Sequence, residues 1–239
     1  MSRIKPEEFR QWNEWMVRKY DPNAFHRHPN IFVRLIEKKR VKVIFKMINI
    51  HKEDRILEVG CGAGNVLEKA KMGDLFGVDI SDYILKKAKQ RLNKKVFLLQ
   101  ADALNLPFKD QTFKKVICSE VLEHLLDPLV SLYEIKRILD CEGKAIISVP
   151  NELWINRIKR ILIRVGIFNW MLHRKGEYRE MPEKMEDEWH LHIYSLETWL
   201  NLFERFFKVT QVKRIPFFWL PLRFVIHLEK IILKNHLRS

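Results

Sequence analysis

The chain has 239 residues, 47% of them apolar and 31% charged, which excludes a disordered polymer and suits one ordinary domain with a full core. Lys and Arg number 44 against 30 Asp and Glu, a formal charge of +14 spread along the chain rather than gathered in a tail. Such a surface suits a nucleic-acid or anionic-membrane partner, and equally a heat-adapted protein that has neither.

The start, Met1 to Glu8, lacks the apolar run of a signal peptide. Up to about Asn49 the pattern predicts helices, with Ile31, Leu35, Val41, Phe45 and Ile48 at helical spacing. From Asp54 short apolar runs alternate with amphipathic stretches. They predict strands at 55–59, 75–79, 96–100, 115–118 and 144–149, with helices near 65–71, 81–92 and 128–139. This alternation argues for βαβ units and an α/β fold: a doubly wound, mostly parallel Rossmann-like sheet with helices on both faces. Its ligand crevice belongs at the carboxyl ends of the strands.

After Pro150 the alternation stops. A basic, apolar-faced helical insertion is expected from Glu152 to about Lys175, then an acidic stretch to Glu188, a helix at 196–203 and a strand at 207–214. The segment from Pro221 to Leu237 reads equally as helix or as strand plus tail. The longest apolar stretch, Ile215 to Leu228, is interrupted by Pro216, Pro221 and Arg223, so no transmembrane helix is expected. Cys61, Cys118 and Cys141 show neither pairing nor metal-ligand spacing, which predicts a reducing, cytoplasmic setting and no metal.

The first strand runs into Glu58-Val59-Gly60-Cys61-Gly62-Ala63-Gly64. Gly60 permits a sharp turn, and Gly62 and Gly64 let the backbone approach a ligand. The G-x-G-x-G spacing is tighter than the G-x-G-x-x-G of pyrophosphate-binding loops. Asp79 ends the second strand about 20 residues beyond Gly60, where a carboxylate can accept both vicinal hydroxyls of a ribose.

These residues resemble the motifs of class I S-adenosylmethionine (SAM)-dependent methyltransferases of the small-molecule type, with a match from about Asp54 to Pro150. Glu58 to Gly64 resembles the family's E-x-G-x-G-x-G motif. Gly77 to Ser81 resembles the second-strand motif, which implies ribose binding by Asp79 and adenine packing by Ile80. Ala101-Asp102-Ala103 resembles the third motif, whose acid faces the adenine amino group. Cys118 to Leu125 resembles the segment lining the methionine end, which implicates Ser119, Glu120 and His124. Gly143 to Pro150 resembles the fifth-strand motif. The resemblance implies SAM as cofactor and S-adenosylhomocysteine as product. Tyr20 enters by looser analogy, as an N-terminal tyrosine over the cofactor's carboxylate.

Methyl transfer from a sulfonium needs alignment more than covalent help, and a base only where the nucleophile must lose a proton. His124, His190 and His192 are the candidates for such a base, the last two in Glu188-Trp189-His190-Leu191-His192-Ile193-Tyr194-Ser195. The chain therefore reads as one domain: an N-terminal helical cap (1–50), a SAM-binding core (54–150), a lid or insertion (151–195) and a C-terminal helix, strand and apolar tail (196–239). In the lid, Trp154, Ile158, Ile161, Leu162 and Val165 form one helical stripe and Arg157, Arg160 and Arg164 another. Such a helix suits docking on the sheet, a cover over an apolar acceptor, or peripheral contact with a membrane. The leading reading is methylation of a small, hydrophobic or lipid-like acceptor. An RNA methyltransferase and a non-catalytic SAM-binding protein are the alternatives. The family's final strand is not evident after Arg214.

Overall fold

The computed structural model describes residues 4–20, 28, 30–92, 96–166 and 189–231. Two helices lead, α1 (Pro6–Lys19) and α2 (Ile31–Ile48). The core follows as β1 (Arg55–Val59), β2 (Asp74–Asp79), α3 (Asp82–Arg91), β3 (Val96–Gln100), β4 (Phe113–Ser119), α4 (Pro128–Ile138) and β5 (Leu139–Pro150). Then come α5 (Glu152–Arg164), α6 (Leu196–Phe203), β6 (Phe207–Phe217) and β7 (Leu220–Lys230). The acidic stretch before Glu188, the far end of the insertion and the last eight residues lie outside the described residues.

The seven strands form one sheet in the order β3-β2-β1-β4-β5-β7-β6. The first five run parallel, and β7 pairs antiparallel to both β5 and β6. Adjacent residues alternate between two cores. Leu57, Val116 and Ile147 pack on one face with Leu132, Ile135, Trp199 and Phe203 of α4 and α6. Ile56, Ile117, Ile146 and Val225 pack on the other with Val41, Ile44 and Ile48 of α2. A strand buried on both faces reads as a continuous apolar run, as these do. On α2 the buried apolar residues begin only at Val41; Ile31 and Leu35 are exposed.

Side-chain caps fix the helix starts. Ser81 Oγ accepts from Ile84 N, Asp127 from the amides of Leu129 and Val130 ahead of Pro128, and Ser195 from Thr198 N. Two expectations need correcting. The helix near 65–71 is a single 3₁₀ turn, Leu67–Lys69. The turn ends at Ala70, which is already extended (ψ 124°), and Gly73, at a φ of 89°, leads the chain into β2. The final strand, not evident in the sequence, is β7. Phe224 to Leu228 is buried throughout between β5 and β6, so no alternation marks it as a strand. The basic helix α5 contacts β7 but seats its apolar stripe only in part: Trp154, Ile158 and Leu162 are half-buried, while Ile161 and, just past its end, Val165 are exposed. Among the described residues no helix is long and apolar enough to cross a membrane.

Candidate functional site

At the carboxyl ends of β1, β2 and β4 lies a cavity of about 350 Å³. Its floor is the loop after β1. Gly60 (φ 67°) makes the turn, and a Cβ there would meet Val121 Cγ2 at 2.3 Å. Gly62 (φ 51°) faces open space, so the backbone itself forms the wall. Gly64 does not line the cavity; a Cβ there would meet Leu92 at 2.5 Å, so it serves close packing against the end of α3 rather than ligand approach.

Asp79 ends β2 with its carboxylate tied at both oxygens, Oδ2 accepting from Gly62 N at 2.9 Å and Oδ1 from Ser81 N at 3.0 Å. Burial pushes its pKa up to about 6, against those two amide hydrogen bonds. Each oxygen keeps a lone pair for a further donor. Ile80, Asp102 and Ala103 complete this end, with Asp102 Oδ1 accepting from Leu104 N at 2.9 Å. Glu58 is 2% exposed, and burial raises its carboxyl to about 8 although Oε2 accepts from Leu67 N. Cys61 lines the same wall, its thiol raised by burial. Cys118 lies in the sheet with its thiol also pushed up by burial, which suits a core residue and not a nucleophile.

The opposite end is built from charge. Arg223 of β7 sets Nε 3.0 Å from Glu120 Oε2 and 3.1 Å from Glu37 Oε1. Arg40 of α2 pairs with Glu37 at 2.6 Å and hydrogen-bonds Ser119 Oγ. Ser148 donates to Glu120 Oε1 at 2.9 Å. Burial opposes the charge on both guanidiniums, yet Glu37 and Glu120 hold them firmly protonated. Glu120 itself adopts φ 58°, a left-handed backbone that a non-glycine residue pays for. Ser119 and Glu120 thus face the cavity as expected, within a network the sequence did not disclose.

The three histidines separate. His124, on a 3₁₀ turn (Leu122–His124) rather than an α-helix, and His190 both line the cavity, their rings 4.7 Å apart. His192 does not. Its Nε2 lies 2.8 Å from the Leu125 carbonyl, and its neighbour Tyr194 packs on the ring. Leu191 N and His192 N both donate to the Glu123 carbonyl, which docks this segment and turns His190 inward and His192 away. Tyr20 also misses the cavity: it is buried and stacks on Trp189, which takes the lining position instead. Burial, then the neighbouring His190, lowers the His124 pKa well below its ordinary value. Glu123 moves the opposite way, its carboxyl raised well up by burial and by Glu120. Sequence spacing pointed to no metal, yet the ligating atoms of Glu123, His124 and His190 all lie within 4.8 Å of one another.

Residues 57–147 match the family described as Methyltransferase domain. Over that stretch the chain is similar to a class I methyltransferase domain. A match to an uncharacterised protein of Methanocaldococcus jannaschii gives 33% identity over 154 residues, 63% of each chain. Demethylmenaquinone methyltransferase of Staphylococcus aureus is 32% identical over 112 residues, 44% of this chain and 46% of that protein. The chain therefore spans under two thirds of the length of these curated relatives. A solved SAM-dependent methyltransferase of Thermotoga maritima shares the methyltransferase fold, with a TM-score of 0.62 over 93% of this chain and all of the other at 20% identity.

Proposed function

We propose that the protein transfers a methyl group from SAM to a small, largely apolar acceptor whose reacting end is polar. The observation that carries this reading is one cavity with two unlike ends: a glycine floor flanked by Asp79 and Asp102, and a charged wall of buried Glu123 with half-buried Glu120, Arg223, His124 and His190. The first end fits the donor. Asp79 is anchored by two amides and offers its remaining lone pairs to ribose hydroxyls. Ile80 and Ala103 offer apolar surface to the purine, and Asp102 an acceptor for its amino group. Open space before Gly62 leaves room for the aminoacyl part. When bound, SAM supplies a methyl group already activated on sulfonium sulfur. Around it the chain contributes carboxylates that favour a cation, exclusion of water, and alignment, the main source of acceleration for such a transfer.

At the second end the His124 and His190 rings stand 4.7 Å apart and offer imidazole nitrogens to a polar group of the acceptor. The demethylmenaquinone methyltransferase relative, whose name gives it a quinone acceptor, supports an apolar body. The charged wall supports a hydroxyl or enol at the reacting end. The test is to titrate S-adenosylhomocysteine calorimetrically, then incubate the protein with methyl-labelled SAM and a lysate of its source organism. Binding, with label in the small-molecule or lipid extract, is expected. Label in RNA would replace the acceptor assignment, and failure to bind S-adenosylhomocysteine would remove the donor assignment.

A further inference from the structure

Glu123 and His124 close the turn after β4, and His190 comes back to them from the segment ahead of α6. Nothing in their sequence spacing marks them as a set, yet their ligating atoms converge within 4.8 Å. His124 Nδ1 lies 3.2 Å from the Trp189 carbonyl, a pure acceptor, so Nδ1 bears the proton and Nε2 presents its lone pair. That Nε2 is 3.9 Å from Glu123 Oε1, beyond hydrogen-bond range. On the far side Glu152 Oε1 stands 2.9 Å from His190 Nδ1, close but not aligned as a hydrogen bond.

Glu123 is 1% exposed and Glu152 3%, and one oxygen of each has no hydrogen-bond partner among the described residues. A bare buried carboxylate oxygen is costly, and native folds rarely leave one without a reason. Here two occur within one cluster, both on the cavity wall and both beside imidazoles.

We propose that Glu123, His124 and His190 form a binding site for a first-row transition-metal dication, with Glu152 as the positioning residue behind His190. Two imidazoles and a carboxylate suit such an ion better than calcium or magnesium, which take oxygen ligands. A carboxylate behind a ligating histidine is the usual means of fixing its tautomer and ring orientation. Three protein ligands leave coordination open toward the cavity, where an acceptor's hydroxyl or enol oxygen would bind and lose its proton more readily. That last role rests on the proposed methyl transfer; the cation site does not.

The experiment titrates Zn²⁺ into metal-stripped, untagged full-length protein by calorimetry and Co²⁺ by visible absorption. One ion per chain is expected, with the absorption of an imidazole-bound Co²⁺ ion. Glu123→Gln and His190→Gln should each weaken Zn²⁺ binding by about tenfold or more, and Glu152→Gln by about 10–100-fold. His192→Gln, outside the cavity, should retain wild-type affinity. S-adenosylhomocysteine affinity and circular dichroism of each variant separate a lost ligand from a lost fold. A wild type that takes up neither ion overturns the proposal, whether or not S-adenosylhomocysteine binds, and so does an equal loss in His192→Gln. Zn²⁺ uptake without S-adenosylhomocysteine binding upholds the cation site and removes the donor assignment instead.

Discussion

Asp79 combines two roles that pull in opposite directions. Its carboxylate organises the loop through Gly62 N and Ser81 N, while burial and the charge of Glu14 across from it favour protonation, giving a pKa near 6 against an ordinary 3.8. Because the folded value lies above the unfolded one, this group's share of stability is lost as pH rises from about 4 to about 6. Ligand binding runs the other way, since ribose hydroxyls donate best to the ionised form. S-adenosylhomocysteine affinity should therefore fall as pH drops through about 6, and Asp79→Asn should flatten that profile in calorimetric titrations across pH. Asp79→Ala should cost about 1.5–3 kcal/mol of binding at neutral pH; unchanged affinity would take Asp79 out of the site. Asp79 and Asp102 were legible because each lone acid ends an apolar strand. Arg223 was not: its partner Glu37 lies 186 positions away, and only folding makes an arginine in an apolar run intelligible. His190 and His192 were indistinguishable by pattern, because the docking of their backbone on Glu123 decides which ring faces inward.

Among the elements, the loop after β1 makes two separable demands on its glycines. At Gly60 a methyl would collide with Val121 and sit at positive φ, so Gly60→Ala should lose about 2 kcal/mol or more of folding stability in denaturant unfolding. At Gly62 nothing lies within 4 Å, so Gly62→Ala should cost only about 1–2 kcal/mol for the left-handed backbone. Its methyl would intrude on the cavity, and ligand affinity should suffer more than stability; equal effects of the two variants on both readouts would refute this division. The parallel strands and α3, α4 and α6 were readable because period and caps agree. The single turn in place of a helix after the loop was not, since the backbone is already extended at Ala70, a residue whose type favours helix. Strand β7 escaped because its apolar run, unlike those of β1 to β5, is not set off by the alternating amphipathic helices that mark a βα unit.

Over the whole molecule, the charge of +14 meets two exposed apolar features. Leu153, Ile161 and Ile163 of α5 and the adjoining Val165 stand in solvent beside Arg157, Arg160 and Arg164, and Phe218 and Trp219 at the β6–β7 turn are 78% and 69% exposed. Basic amphipathic surfaces of this kind bind anionic lipid. Wild-type protein should sediment with anionic vesicles at low salt, and replacing the three arginines by Gln should reduce that fraction; no sedimentation of the wild type would reject membrane contact. The sheet order has a consequence in time as well as in space. Strand β5 is made first, and the strand that covers its open edge and carries Arg223 follows only after α5, α6 and β6. A nascent chain can thus assemble the glycine floor and Asp79 on the ribosome while His190 and Arg223 of the cavity wall are still unmade. During that interval β5 exposes unpaired amides and carbonyls, a template for wrong strand partners. The pace at which this chain is translated, and whether a chaperone shields that edge meanwhile, should weigh on its yield as heavily as the stability of the finished fold.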